Sequence, residues 1–316
     1  MTPPVLRRNL TQAPDTAVMI RPHGFHPNPE TEDDNAFQRT TNEARATVTA
    51  RALAEFDAGV GQLRAAGVTV HVFDDDGSRD TPDSVFPNNW FSTHTGGHVA
   101  VFPMFATNRR RERRHDILDF LKQHYRVQDI IDYSGLEQDG LALEGTGAMV
   151  LDHIGRIAFA VRSNRADPIA LERFCTNFGY EPMVFDAHDH QGKDIYHTNV
   201  LMCIATDFAM VGLEQIVNPE RRAGIVARLE ESGREVIALS SAEIAGFAGN
   251  ALELTGDAGR FLCLSTTAQA SLTPANRARL TAMMPLLVLD VPTIELAGGS
   301  VRCMIAGIHL TPRNRA

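Results

Sequence analysis

The chain has 316 residues, of which 43% are hydrophobic and 22% charged, a composition that excludes a disordered scaffold. The 39 Asp and Glu outnumber the 30 Lys and Arg, and a formal net charge of −9 argues against a nucleic-acid partner held by a general basic field. No apolar run approaches the roughly 18–20 residues of a membrane span and the N-terminus has no secretory hydrophobic segment, so a cytoplasmic protein without a membrane partner is expected.

In chain order, a tail over residues 1–16 precedes a strand predicted at Ala17–Arg21. The segment Arg21–Gln38, rich in His, Pro, Asn and acids, is too long and polar for a tight connection and reads as a lid, with Asn28 and Asn35 as candidates to touch a ligand. A helix over about Phe37–Ala66 and a strand Val68–Phe73 follow. The first hairpin pairs Ser84–His94 with His98–Pro103 around Thr95-Gly96-Gly97, before a helix over Arg110–Tyr125 and a strand Val127–Tyr133. Five basic residues in Arg109–Arg114 lead into Ile117, Leu118 and Leu121 at helical spacing and read as a solvated helix face.

The second unit has strands Gly147–Leu151 and Arg156–Val161, a helix with Pro168 in its first turn, and a returning strand Glu181–Phe185. The third has Asn199–Ile204, Phe208–Leu213, a helix from Asn218-Pro219 to about Gly233, and Glu235–Leu239. After a short helix Ser241–Phe247, the fourth pairs Ala251–Leu254 with Arg260–Leu264, then runs a helix Pro274–Met284 and a strand Leu286–Val291. A final strand segment, Val301–Leu310, completes a fifth unit with the N-terminal elements.

The hairpins begin near residues 84, 147, 199, 251 and 301, a period of roughly 50–60 residues in the range of closed arrays. The expected fold is therefore a single α/β domain over residues 17–310, a pseudo-fivefold propeller of ββαβ modules. Sharing the last module between the chain ends would remove exposed sheet edges. Two domains, or an open α/β sheet with accidental spacing, are the alternatives.

In a ring, the start of each module's first strand faces the axis, so residues there would share a cavity. Those positions read Pro87-Asn88-Asn89-Trp90, Leu143-Glu144-Gly145-Thr146-Gly147, Tyr196-His197-Thr198-Asn199, Gly249-Asn250 and Gly298-Gly299-Ser300-Val301-Arg302-Cys303. One Cys, one His, one Glu and several Asn from distant segments suit a cysteine nucleophile. The four cysteines lack any C-x-x-C pairing and read as free thiols. Cys175, Cys203 and Cys263 sit inside helix or strand patterns as small hydrophobes, whereas two glycines and Arg302 precede Cys303. His188-Asp189-His190 has no third ligand at a metal spacing and reads as a polar loop; neither a metal nor an organic cofactor is implied. His94, His98 and His153 read as structural.

LEGTG, YHTN and GGSVRCM, in that order, resemble the amidinotransferase and arginine deiminase superfamily, the penteins, whose members share a pseudo-fivefold α/β propeller. VMIRPHGFHPNPETEDDNAFQ, DSVFPNNWFSTH and GGSVRCMIAGIHL look like its citrulline-utilisation hydrolase branch, over about Met19 to Leu310. The resemblance implies Cys303 as nucleophile, His197 as general acid/base and Glu144 as its carboxylate partner. Guanidine-acting members usually carry two Asp where this chain has Asn89 and Asn199. A neutral ureido group, with one acceptor and several donors, suits two carboxamides better than two anions, which favours citrulline over arginine. Arg162 and Arg165, after the second strand of module two, are candidates for an α-carboxylate anchor, with an exposed helix lead-in as the alternative. The expectation is a hydrolase giving ornithine, carbon dioxide and ammonia from citrulline or a close derivative. A guanidine hydrolase, a group transferase and a non-catalytic ligand- or protein-binding ring are the alternatives; a homo-oligomer is left open.

Overall fold

The computed structural model describes residues 10–189 and 191–313; His190 and residues 1–9 of the expected tail lie outside them. Within that tail Gln12 is buried, its amide donating to Leu151 O and Ile204 O at 2.9 and 3.0 Å. The chain then forms β1 (Thr16–Pro22), α1 (Arg45–Ala65) and β2 (Thr69–Asp75). The next module is β3 (Phe91–His94), β4 (His98–Val101), α2 (His115–His124) and β5 (Asp129–Asp132). A one-turn helix α3 (Gly145–Ala148) opens the second, followed by β6 (Met149–Asp152), β7 (Ile157–Val161), α4 (Pro168–Phe178) and β8 (Glu181–Phe185). The third has β9 (Met202–Ile204), β10 (Phe208–Val211), α5 (Pro219–Glu231) and β11 (Glu235–Ala238). After α6 (Ser241–Ala245) come β12 (Leu252–Gly256), β13 (Gly259–Ser265), α7 (Thr266–Ser271), α8 (Pro274–Met283) and β14 (Leu286–Leu289), and finally β15 (Ala306–Gly307).

These strands make five three-stranded sheets with one pattern, an antiparallel hairpin followed by a parallel return across a helix. In the fifth sheet β1 takes the central place, antiparallel to β15 and parallel to β2, so the two chain ends close the ring. The propeller expected from the spacing is the fold observed.

Local sequence sets the helix starts. The Asp167 carboxylate accepts from Ile169 N and Ala170 N with Pro168 next to it, and Asn218 and Thr273 repeat the arrangement before Pro219 and Pro274. Ser240 and Glu243 form a capping box for α6. Buried apolar faces of the sheets pack against these helices, with Phe159, Phe174, Phe208 and Trp90 among the largest side chains fully inside. No helix among the described residues is long and apolar enough to cross a membrane.

Three expectations need correction. The first strands do not begin at the axis: Pro87–Asn89, Thr198–Val200 and Val301–Met304 are 3-10 turns and Gly145–Ala148 is a helical turn. A continuous strand would alternate its side chains across a sheet, whereas a tight turn aims several into one cavity. The helix expected from Phe37 begins at Arg45, because Asn28–Gln38 is folded into short turns over the hub. The C-terminal strand is reduced to Ala306–Gly307.

Candidate active site

The hub turns set the positions of the candidate catalytic groups. His197, Asn199 and Cys303 belong to or adjoin the turns Thr198–Val200 and Val301–Met304, and Glu144 immediately precedes α3. Thr198 pins its turn to the second module, donating to Ala148 O at 2.6 Å and accepting from Val161 N at 2.7 Å. Gly147 is required by proximity, since a Cβ there would stand 2.8 Å from His197 Nδ1. Gly298 has φ +80° and lies against the Asn35 amide, so the approach to Cys303 is both left-handed and crowded.

Around the sulfur, the structure brings together two carboxamides. Asn199 Nδ2 and Asn250 Nδ2 lie 3.1 and 3.2 Å from Cys303 Sγ. Asn250 Oδ1 accepts from Arg302 N at 3.1 Å, and Asn250 Nδ2 also donates to the backbone Asn199 O, which locks the Asn250 amide. Asn199 Oδ1 is buried and has no protein partner. Cys303, His197, Glu144, Asn89 and Asn199 are all buried.

His197 Nε2 meets Glu144 Oε2 at 2.9 Å, and Glu144 Oε1 accepts from Phe105 N at 3.0 Å. Burial alone would raise the Glu144 carboxyl, but Arg165, the His197 hydrogen bond and Arg109 hold it well below the usual carboxylate range. Burial pushes His197 down to about 4, against the pull of Glu144 and with the help of Arg165 and Arg109. At neutral pH the pair is therefore a carboxylate and a neutral imidazole. Its proton is assigned to Nε2, facing Glu144, which leaves Nδ1 as a free base beside Gly147.

Two arginines frame Glu144. Arg165 Nη1 lies 3.7 Å from Glu144 Oε2, while its Nε donates to Asp34 at 2.8 Å and its Nη2 to the other oxygen of the same carboxylate. Its guanidinium covers the Tyr196 ring at 4.7 Å. Arg162, by contrast, is exposed; its Nε lies 3.7 Å from Asp186, and it is not among the side chains around Cys303. Arg162 directly follows β7 and faces solvent, whereas Arg165 lies in the Ser163–Ala166 turn, where the chain reverses and its side chain is buried.

Arg109 corrects the reading of the basic run as a solvated helix face. It is buried in a 3-10 turn, Asn108–Glu112, and donates to both oxygens of Glu112 at 2.8 and 3.0 Å, with Glu144 Oε2 at 3.4 Å and Asp83 Oδ2 at 3.6 Å. Asn89 Oδ1 is assigned toward Arg109, accepting from Nη2 and Nη1 at 3.0 and 3.2 Å. The Asn89 NH2 then borders Gly147, the same glycine that His197 Nδ1 borders. Burial pushes Glu112 up to about 7 despite Arg109, and raises Asp83 as well. Arg109, Glu112 and Asp83 escape sequence reasoning because the Arg109–Glu112 pair, three residues apart, looks like an exposed helix pair until the distant Asp83 and Glu144 close around it; Asn250 was legible only as one more asparagine at a hub position.

The segment expected to act as a lid is packed against the hub. Asn28 donates to Asp83 at 2.7 Å, Asn35 donates to Ala297 O at 3.0 Å, and Phe37 packs against Tyr196 and Phe247.

With this geometry in view, the family profile described as "N,N dimethylarginine dimethylhydrolase, eukaryotic" matches residues 21–310. The chain belongs to that family. It is accordingly a pentein-type, cysteine-dependent hydrolase of C–N bonds other than peptide bonds. Its fold is similar to the N-terminal domain of the cyanobacterial arginine dihydrolase ArgZ bound to product, at TM-score 0.71 and 16% identity over 93% of this chain and 97% of that one. Unliganded AgrE aligns at TM-score 0.71 and 18% identity, over 95% of this chain and 40% of its own. A mutant of the Pseudomonas aeruginosa dimethylarginine dimethylhydrolase, in complex with citrulline, aligns at TM-score 0.62 and 13% identity, over 94% of this chain and 100% of that one. No curated protein sequence matches the chain.

Proposed function

We propose that this family member hydrolyses the ureido group of citrulline, or of a close citrulline derivative. The observation that carries the reading is the pair of amides facing the site. Arg109 takes the Asn89 oxygen, so Asn89 offers an N–H donor; Cys303 takes an Asn199 N–H, so Asn199 offers a bare carbonyl oxygen. One donor and one acceptor match a urea, which has a carbonyl oxygen and N–H groups, whereas a guanidinium has only donors.

In the proposed reaction the thiol proton passes to His197 Nδ1 as Cys303 Sγ bonds to the ureido carbon. Asn89 donates to the developing oxyanion. The protonated His197, held by Glu144, returns the proton to the departing nitrogen as its C–N bond breaks. Neutral His197 then takes a proton from water as the water oxygen adds to the carbon, and returns it to the sulfur as the C–S bond breaks; the carbamic acid released loses carbon dioxide as its remaining C–N bond breaks and that nitrogen takes up the proton, so that citrulline and one water give ornithine, carbon dioxide and ammonia. Arg165 anchors the α-carboxylate. Asp34 already occupies that guanidinium as a substrate carboxylate would, so substrate entering displaces the lid residue.

A guanidine hydrolase is the second reading, favoured by the ionised Glu144 and by the family's description. Amine release distinguishes the two: ammonia from citrulline or arginine, and dimethylamine from dimethylarginine. Turnover of citrulline with at least about tenfold higher kcat/KM is expected; turnover of arginine or dimethylarginine alone would refute the ureido assignment.

A further inference from the structure

Beyond the catalytic turns the hub holds a second polar cavity, of about 50 Å³. Its walls include residues that follow the reactive ones in sequence, Phe91–Thr93 and Ile305–Gly307, together with Arg302, His153, His309, Thr146 and Gln12. Cys303, His197 and Glu144 do not line it.

Most polar groups in this wall are already used. Gln12 bonds Leu151 O and Ile204 O through its NH2 and accepts from His153 N at 2.9 Å. Thr93 Oγ1 donates to Gly307 O and accepts from His309 N, and Thr146 Oγ1 donates to Asn88 O. Arg302 differs. The residue is 6% exposed, and its guanidinium makes a single long bond, Nη1 to Ala251 O at 3.5 Å.

The other buried arginines show what is missing. Arg109 is matched by Glu112, Arg165 by Asp34 and Arg234 by Asp152. Among the described residues, Arg302 has no carboxylate partner. A buried cation without a counter-charge is costly, and removing water from it costs more than one weak carbonyl contact returns. The neighbouring rings supply no charge: burial lowers both His153 and His309, the latter to about 4, so they are neutral at pH 7. They stack at 4.0 Å, and His153 Nδ1 meets the Tyr180 hydroxyl at 3.0 Å; the ring proton is assigned to Nε2, which makes that nitrogen a donor.

We propose that this cavity binds one small oxyanion as the counter-charge of Arg302. The fork of a guanidinium matches two oxygens of a carboxylate, bicarbonate or phosphate, and a neutral imidazole N–H adds a donor. The volume accommodates a group of that size and is too small for an amino acid. The site is separate from the one that takes substrate and does not depend on which C–N bond is cut.

The test uses the full chain and inorganic phosphate, with ionic strength held constant by a bulky sulfonate. A saturable rise in Tm of about 2 °C is expected for the wild type and is expected to vanish in Arg302→Gln. Equal responses of the two proteins would mean that only water fills the cavity and would overturn the proposal. Should Arg302→Gln not fold, wild-type crystals soaked in selenate decide the matter. An anomalous peak within hydrogen-bond reach of the Arg302 guanidinium supports the site, and its absence at high occupancy elsewhere refutes it.

Discussion

Cys203 in β9 and Cys263 in β13 are as buried as Cys303 at the hub, yet their surroundings differ in kind. The strand thiols lie among apolar side chains, and burial pushes Cys203 up to about 12 and Cys263 further still. Cys303 has two carboxamide N–H groups on its sulfur. Burial by itself makes a thiol inert; burial with donors aimed at the sulfur makes a place where negative charge can be held. The blades supply the first environment and the hub turns the second.

The contrast breaks most sharply on substitution of the sulfurs themselves. Cys303→Ala is expected to lower kcat at least ~10⁴-fold with little loss of stability, whereas Cys203→Ala keeps kcat and lowers stability by about 1–2 kcal/mol in denaturant unfolding. Equal kcat losses in the two variants would remove the distinction.

Glu144→Gln comes next. It frees His197 from its carboxylate and leaves Arg109 and Arg165 without their shared anion, so kcat should fall by about 10²–10⁴-fold, measured as ammonia release. Asn199→Ala removes one donor from the sulfur and the bare acceptor beside it, for an expected loss of about 10²-fold in kcat/KM.

The pH dependence tests the neutral imidazole. Because His197 is depressed to about 4, it stays unprotonated through mildly acidic solution and works as a base there. The acid limb of kcat/KM should therefore lie near pH 4, and a limb centred on the unperturbed value of about 6.5 would contradict the assignment. The smallest effect concerns stability. His94, His153 and His309 are all depressed by burial, so protons bind the unfolded chain more readily than the folded one below the ordinary histidine value. Their stabilising contribution is complete above about pH 6.5 and is lost as pH falls below it, toward about 4 for His309, visible as a declining urea midpoint.

The same division separates what the sequence discloses from what it hides. Blade hairpins are legible because Gly turns such as Thr95-Gly96-Gly97 and helix starts such as Asp167-Pro168 act within a few residues. Cys303, His197, Glu144, Asn89 and Asn199 are legible because each module places its hub position at the same step of the repeat. Arg109 is not, since a run of five basic residues in six looks solvated until Asp83, Glu112 and Glu144 close around one of them. Nor is the difference between Arg162 and Arg165, which depends on the direction of the chain leaving β7 and on Asp34, 131 residues away.

The central claim is that Cys303 bonds to the ureido carbon of citrulline. Protein quenched in acid during citrulline turnover, then digested and weighed by mass spectrometry, tests it directly. A mass increase confined to the peptide bearing Cys303, absent from those bearing Cys175, Cys203 and Cys263, is the expected result. Steady ammonia release with that peptide unmodified, and preserved in Cys303→Ala, would contradict it.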